Sequence, residues 1–330
     1  MTFSPEHPLR WGILGCGSIA GKFATGLQSV PDAKLVAAAS RSQDKAGAFA
    51  DKFGAPHRHG SYELLAQDPE VDAVYVATPH PMHAEHSILC LNAGKAVLCE
   101  KPFTVNAAQA EQVIEVARAR KVFLMEGLWS RFFPLMGRVR ELVKSGAIGD
   151  VRMVQADFGF RTGVNPTGRL FDPALGGGGL LDVGVYALSL ASMLLGAPTQ
   201  ITGVAQIGET GVDEQAALAL MYEGGRIASL TTGIRTNTPH EAFILGTDGM
   251  IKLHAPWWQL AKITITVGGK DEVVDEPFEG QGMNYEAAHV AACLADGKTE
   301  SDVMPLSETL QIVQTMDALR AQWGLRYPME

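Results

Sequence analysis

The chain has 330 residues, a formal net charge of −9, 46% hydrophobic residues and 19% charged ones. That length exceeds what one core usually supports and implies two domains. The acidic balance argues against a nucleic-acid partner, which needs a basic face, and no apolar run approaches the roughly 20 residues that span a bilayer.

Residues 10–14 form a short apolar run that stops at Gly15-Cys16-Gly17-Ser18-Ile19-Ala20. Ile19, Phe23 and Leu27 then recur every four residues, which predicts a helix opening on the glycines. Further apolar runs at residues 35–39, 71–77, 96–99 and 122–125 alternate with helical patterns at residues 43–53, 82–93 and 106–120. Strand and helix in alternation predict a doubly wound parallel sheet, a Rossmann domain over residues 1–128. Gly15-x-Gly17-x-x-Ala20 is the dinucleotide fingerprint with a small third residue. Its first glycine turns the chain, its second admits the pyrophosphate, and Ala20 keeps helix and strand close. Ser18, Ile19 and Ala20 start the helix whose N–H groups face the phosphates. The bland alternative is an ordinary tight turn.

The end of the second strand selects the nucleotide. It reads Ser40-Arg41-Ser42, with Lys45 one turn later and no acid at the tip. An acid there would bind the ribose hydroxyls of NAD, whereas arginine suits the 2′-phosphate of NADP. NADP is the expected cofactor, with NAD less favoured; a solvated Arg41 is the bland alternative.

From residue 129 the pattern changes to paired runs. Residues 151–158 alternate like a half-exposed strand. Residues 216–222 and 226–232 flank Glu223-Gly224-Gly225, residues 242–245 and 250–253 flank Gly246-Thr247-Asp248-Gly249, and residues 263–267 precede 272–274. Three hairpins predict a second, α+β domain over residues 129–330 with a mostly antiparallel open sheet. Helices at 183–195 and 284–296 would cover one face, and an amphipathic C-terminal helix, 307–323, would pack back on the body. The polar, glycine-containing loop 160–172 fits a substrate lid, with Phe160 and Arg169 as its candidate contacts, or else a mobile connection.

The N-terminal residues lack the charge and apolar stretch of a secretory signal. Cys16, Cys90, Cys99 and Cys293 are scattered. A cytoplasmic location is the expectation. His83 and His86 have metal-like spacing without a third ligand, so no metal site is expected.

Four further motifs stand in order: Thr78-Pro79-His80-Pro81-Met82-His83, Glu100-Lys101-Pro102, the stretch from Glu126 through Trp129 and Arg131 to Pro134, and Gly176-Gly177-Gly178-Gly179-Leu180-Leu181-Asp182-Val183-Gly184-Val185-Tyr186. With the fingerprint they resemble the glucose–fructose oxidoreductase / inositol dehydrogenase (Gfo/Idh/MocA) family along essentially the whole chain. Trp129 and Tyr186 in their contexts resemble its dihydrodiol dehydrogenase and NADP-dependent D-xylose dehydrogenase branch. The resemblance implies that Lys101, after a bond to Pro102 that is often cis, reaches the substrate hydroxyl and the nicotinamide ribose. It further implies that Tyr186 transfers the proton, that Asp182 contacts substrate, and that His80 and His83, with Thr78, Pro79 and Glu100, border the cofactor. Trp129 would lie beside the nicotinamide, and Arg131 would serve cofactor or substrate, or else a buried ion pair. A family-type open sheet implies a homodimer or larger homo-oligomer.

The chemistry agrees with those residue types. A free tyrosine has a pKa of about 10, and a fixed lysine cation nearby favours its phenolate. The pair would then exchange the hydroxyl proton while hydride moves to or from the cofactor. The bland alternatives are a core aromatic for Tyr186, which shares a helix face with Leu190 and Met193, and a helix cap for Asp182. The expected activity is NADP(H)-dependent hydride transfer at a hydroxyl or carbonyl carbon of a sugar or cyclic diol. Two other functions stay open: glycoside cleavage through oxidation, elimination and reduction on a tightly held nucleotide, and non-catalytic nucleotide binding.

Overall fold

Unbroken apolar runs give the inner strands of the first sheet, because a parallel strand is buried on both faces. These are β1 (Leu9–Leu14), β2 (Ala33–Ala39), β4 (Ala73–Val76) and β5 (Ala96–Glu100), with β3 (His57–His59) and β6 (Leu124–Gly127) at the edges. The computed structural model describes residues 3–330. It pairs the six strands in parallel in the order β3-β2-β1-β4-β5-β6. That is the doubly wound order, and its reversal between β1 and β4 opens a crevice at the carboxyl ends of the strands. The helices between are α1 (Ser18–Leu27), α2 (Gln43–Phe53), α3 (Tyr62–Ala66), α4 (His83–Asn92) and α5 (Ala107–Arg120). Ser42 caps α2 at Lys45 N, and Asn106 caps α5 at Gln109 N; such caps are worth about 1 kcal/mol each.

Contacts divide the chain into two units, residues up to Trp129 with Glu279–Thr309, and Ser130–Phe278 with Leu310–Glu330. In the first unit Trp11, Phe23 and Tyr75 form an aromatic core, Phe23 stacked on Tyr75 at 3.9 Å between ring centroids. The helix Met283–Ala295, expected to cover the second sheet, instead returns against α1 and belongs to the first unit. Gly26 permits this approach, since a Cβ there would stand 3.2 Å from Asn284 N.

The second unit begins with α6 (Pro134–Lys144), where Pro134 occupies the first turn. Its sheet comprises β7 (Val151–Gly159), β8 (Pro198–Ile207), β9 (Asp213–Tyr222), β10 (Arg226–Gly233), β11 (Ala242–Gly246), β12 (Gly249–Leu253), β13 (Lys262–Val267) and β14 (Lys270–Asp275). The order is β14-β13-β12-β11-β7-β10-β9-β8, antiparallel except for β7 beside β10. The three expected hairpins are present. The helix α7 (Val185–Leu195) packs on β7 and β10. Along β9, Ala216, Leu218 and Leu220 point inward while Ala217, Ala219 and Met221 are exposed. Residues Pro173–Leu195 have the length and hydropathy of a bilayer span, but 89% of that window is buried inside the protein, as a core helix requires.

Four elements were not expected: β3, the short α3, α6 and the ten-residue edge strand β8. β3 and β8 lack the apolar alternation that marks the other strands, whereas α6 buries Leu135, Met136 and Val139 at helical spacing. β3 reads His-Arg-His, and every residue of β8 is at least partly exposed.

Candidate active site

Gly15 turns the chain after β1 with φ of +102°, and a Cβ there would lie 2.8 Å from the Ala77 carbonyl oxygen. Glycine is required on both counts. A Cβ on Gly17 would meet no atom within 4 Å, so the loop is open on that side. α1 starts at Ser18 with Gly17 as its uncapped N-cap and no acid in its first turn. The N–H groups of Ser18, Ile19 and Ala20 lack intrahelical acceptors by the geometry of any helix. They present a partial positive charge to an anion. Fully buried Ala20 keeps the helix against the sheet. Past β2, Ser40 is buried, whereas Arg41 and Lys45 are exposed. Burial raises the Tyr62 phenol above its usual pKa and the neighbouring Arg41 charge opposes the rise. The donor set suits an anionic nucleotide.

At the carboxyl end of β5 stands Glu100-Lys101-Pro102, with a cis Lys101–Pro102 peptide. Glu100 is buried; one carboxylate oxygen accepts from the Tyr75 hydroxyl and the other from Lys101 N at 3.1 Å. Phe103 N donates to Glu126 Oε1 at 3.0 Å, which ties the turn to the end of β6. His83 is 0% exposed, its Nδ1 2.8 Å from Pro102 O and its Nε2 2.8 Å from Thr78 O. Burial lowers its pKa against the pull of those carbonyls. His83 therefore latches the turn after β5 to the loop after β4, where Pro79 is exposed and His80 buried. His86 Nδ1 lies 3.0 Å from Thr78 Oγ1 and secures the same loop. The Lys101 side chain remains part-exposed above this fixed turn.

In the second unit, Asp182 lies in the π-helical turn Leu180–Gly184 and Tyr186 follows one turn later at the start of α7. Arg169 Nη1 donates to Asp182 Oδ1 at 2.6 Å, so two separately predicted substrate residues form one ion pair. The Tyr186 ring lies 5.3 Å from Phe158, which stacks on Trp258. His240 stands edge-on to both, 5.6 Å from Phe158 and 4.7 Å from Trp258. His240 has φ of +64°, held by its N–H donating to Asp157 Oδ2 at 2.7 Å. Phe160, two residues beyond Phe158, is part-exposed, and its N–H donates to Gly233 O. Trp129 is part-exposed at the end of the first unit. Arg131 is 2% exposed, with Nε donating to Ser189 Oγ at 2.7 Å and Nη2 to Ser189 O at 2.8 Å, which anchors it to α7.

Sequence reasoning missed Phe158, His240 and Trp258 around Tyr186, and Glu286 beneath the Lys101 turn. The signal available was modest: an isolated histidine after Pro239 and a Trp257-Trp258 pair after Pro256. Glu286 is fully buried, and burial, then the nearby Glu100 charge, holds its pKa well above the carboxylate range.

Residues 9–128 match the model of an oxidoreductase family with an NAD-binding Rossmann fold, and residues 136–252 match the GFO/IDH/MocA C-terminal domain. The mouse (Mus musculus) trans-1,2-dihydrobenzene-1,2-diol dehydrogenase is 42% identical, covering 98% of this chain and 99% of its own length. The human (Homo sapiens) enzyme of the same name is 40% identical over the same shares. A 3-ketoreductase from Actinomadura kijaniata, solved with NADP and TDP-benzene, superposes with a TM-score of 0.85 at 29% identity, covering 95% of this chain and 97% of its own. That enzyme has also been solved as lysine-to-alanine and tyrosine-to-phenylalanine variants. An aldose–aldose oxidoreductase from Caulobacter crescentus, complexed with glycerol, gives a TM-score of 0.87 at 25% identity over 96% and 98% of the two chains.

Proposed function

The chain belongs to the Gfo/Idh/MocA family and is an NAD(P)-dependent oxidoreductase, and from that premise we propose that it is an NADP(H)-dependent dehydrogenase of a cyclic vicinal diol or sugar. When bound, the nicotinamide supplies or accepts the hydride. Tyr186 takes the hydroxyl proton in oxidation and returns it in reduction, and Lys101 supplies the cation that stabilises negative charge on the reacting oxygen. The observation that carries this reading is the Glu100-Lys101-Pro102 turn. Buried carboxylates and His83 fix its backbone and leave the lysine side chain part-exposed at the strand ends. A lysine and a tyrosine are also the residues replaced in the similar 3-ketoreductase. Residues 1–128 carry the nucleotide in this proposal, with Gly15, Gly17, Ser18, Ile19, Ala20, Ser40, Arg41, Lys45, Thr78, Pro79, His80 and Trp129 toward it. The second unit, Ser130–Phe278 with Leu310–Glu330, carries the substrate. The Arg169–Asp182 pair supplies polar contacts for hydroxyls, and Phe158 with Trp258 supplies an apolar wall for a ring.

Arg41 sets the nucleotide preference in this scheme, because an arginine fork bonds a phosphate with charge-assisted geometry. Initial rates with NADP+ and NAD+ on trans-1,2-dihydrobenzene-1,2-diol and D-xylose, followed at the reduced nicotinamide absorbance, test it. NADP+ is expected to win, and Arg41→Ala is expected to raise its KM about 10- to 100-fold, the size of a lost charged hydrogen bond, while NAD+ is little affected. Faster turnover with NAD+ in the unaltered enzyme would overturn the preference.

The proposal includes a homodimer, or a larger assembly, through the open sheet face, where Val204 is 72% exposed and Met221 and Met250 join it. Soluble monomers rarely leave such apolar patches uncovered. Sedimentation velocity is expected to give at least twice the monomer mass, and Val204→Glu to lower it; a wild-type monomer would refute this assembly. A reducing, cytoplasmic setting fits the four free thiols.

A further inference from the structure

We propose that His57, His59 and Asp68 form a surface site for a divalent transition ion such as zinc, at the edge of the first sheet. His57 and His59 are two apart on strand β3, so both side chains leave the same face. Asp68 meets them from the turn after α3, its Oδ2 2.6 Å from His57 Nδ1 and 2.9 Å from His59 Nε2. All three donor atoms lie within 4.8 Å of one another. Two imidazoles and one carboxylate are a donor set that zinc binds in catalytic-type sites, with remaining positions left to water.

The site is built from fixed parts. Asp68 is 4% exposed at its side chain, and its Oδ1 accepts from Glu70 N at 2.9 Å, so the carboxylate is already aimed. His59 is held in the sheet, where its carbonyl accepts from Ser40 N at 3.1 Å. His57 is 37% exposed, which opens a route from solvent and room for water ligands. Donors around a tetrahedral zinc stand about 3.3 Å apart, given bonds near 2.0–2.1 Å. Insertion of the ion therefore replaces two short hydrogen bonds and needs the carboxylate oxygen to draw back by roughly 0.4–0.7 Å from the two imidazoles, with the rings turning to face the ion. Two cations are near in sequence or space, and both are engaged elsewhere. Arg58 leaves the opposite face of β3 to bind Asp51 at 2.7 Å, and Lys95 donates to the carbonyls of Asp68 and Val71.

A second cluster provides a comparison. His289, Cys293 and Asp302 also lie within 4.8 Å. There His289 Nε2 is already bonded to Ser301 Oγ at 2.7 Å, and exposed Asp302 is shared with Lys298 at 3.3 Å. Its carboxylate is neither buried nor aimed, so the edge-strand site should fill first.

The test is calorimetric titration of zinc into the chelator-treated full chain, with cobalt absorption as a second reading of the donors. One saturable equivalent is expected, bound about tenfold or more weakly by His57→Gln and by His59→Gln, since even outer-shell changes cost metal sites that much. Cys293→Ser should leave it unchanged, and cobalt should show no thiolate band. At a fixed zinc concentration the Tm of the wild type should rise more than that of the two histidine variants, whose fold is checked by circular dichroism. Absence of saturable zinc binding, binding indifferent to both histidine changes, or loss only in Cys293→Ser would each overturn the site.

Discussion

Tyr186→Phe is expected to lower kcat/KM by about 10²- to 10⁴-fold, the usual worth of a positioned acid or base, and to leave NADP(H) affinity within a few-fold of wild type. Phenylalanine keeps the ring that packs on Phe158, so α7 should fold unchanged and only the hydroxyl proposed to carry the proton is lost. Lys101→Met should cost a similar factor for a different reason. It removes the cation but keeps the apolar stem, and Glu100 N-side anchoring through the Lys101 main chain survives because that bond is made by the backbone. If both side chains serve one proton transfer, the double variant should be little worse than either single one, since residues that act as a unit are grossly non-additive. Stopped-flow rates across pH add a readout that mere misfolding would not reproduce. On the proposed pairing, the wild-type limb assigned to the tyrosine should vanish in Tyr186→Phe and move to higher pH in Lys101→Met. Full turnover in either single variant would sink the assignment.

Much of the nucleotide unit was legible because burial on both faces forces uniform apolar strands, and the fingerprint's glycines are dictated by backbone geometry at Gly15. The Glu100-Lys101-Pro102 turn was legible for a similar reason: a charged residue held between Glu100 and a proline at a strand end is a local pattern. The parts that were not legible depend on partners far along the chain. His83 reads as a loop histidine facing the cofactor, and only the Pro102 carbonyl, 19 residues away, makes it a buried latch. Phe158, His240 and Trp258 come from three separate segments, and no period in any of them announces that the rings meet. Arg169 and Asp182 were each read singly, because an ion pair across a glycine-rich loop has no sequence spacing. β3 escaped because three polar residues carry no strand signal, although its two histidines are where the first sheet's edge becomes chemically distinctive.

Gly178→Ala should be strongly destabilising in the second unit. Gly178 has φ of +116°, and a Cβ there would stand 2.3 Å from Asp213 Oδ1. Backbone strain and overpacking together predict a loss of about 2–5 kcal/mol, read as a fall in Tm of roughly 5–15 °C. Asp213 is fully buried and its Oδ2 accepts from Leu180 N at 2.6 Å, so the carboxyl cannot simply swing aside. Burial pushes its pKa up to about 7, against the pull of nearby N–H groups and Arg320. The unfolded value is near 4. Between those values the unfolded chain has released the proton that the native state keeps, so this group's contribution to stability falls as pH rises from about 4 to about 7 and is flat above. Melting curves across that window should show the slope in the wild type and lose it in Asp213→Asn. The two effects separate in Gly178→Ala combined with Asp213→Ala. Relief of the clash should return part of the lost Tm relative to the sum of the single changes, and the remainder measures the strain of a left-handed alanine. Strict additivity would mean that the methyl group and the carboxylate never meet. The geometry that delivers Asp182 and Tyr186 through the following π-helical turn would then need another explanation.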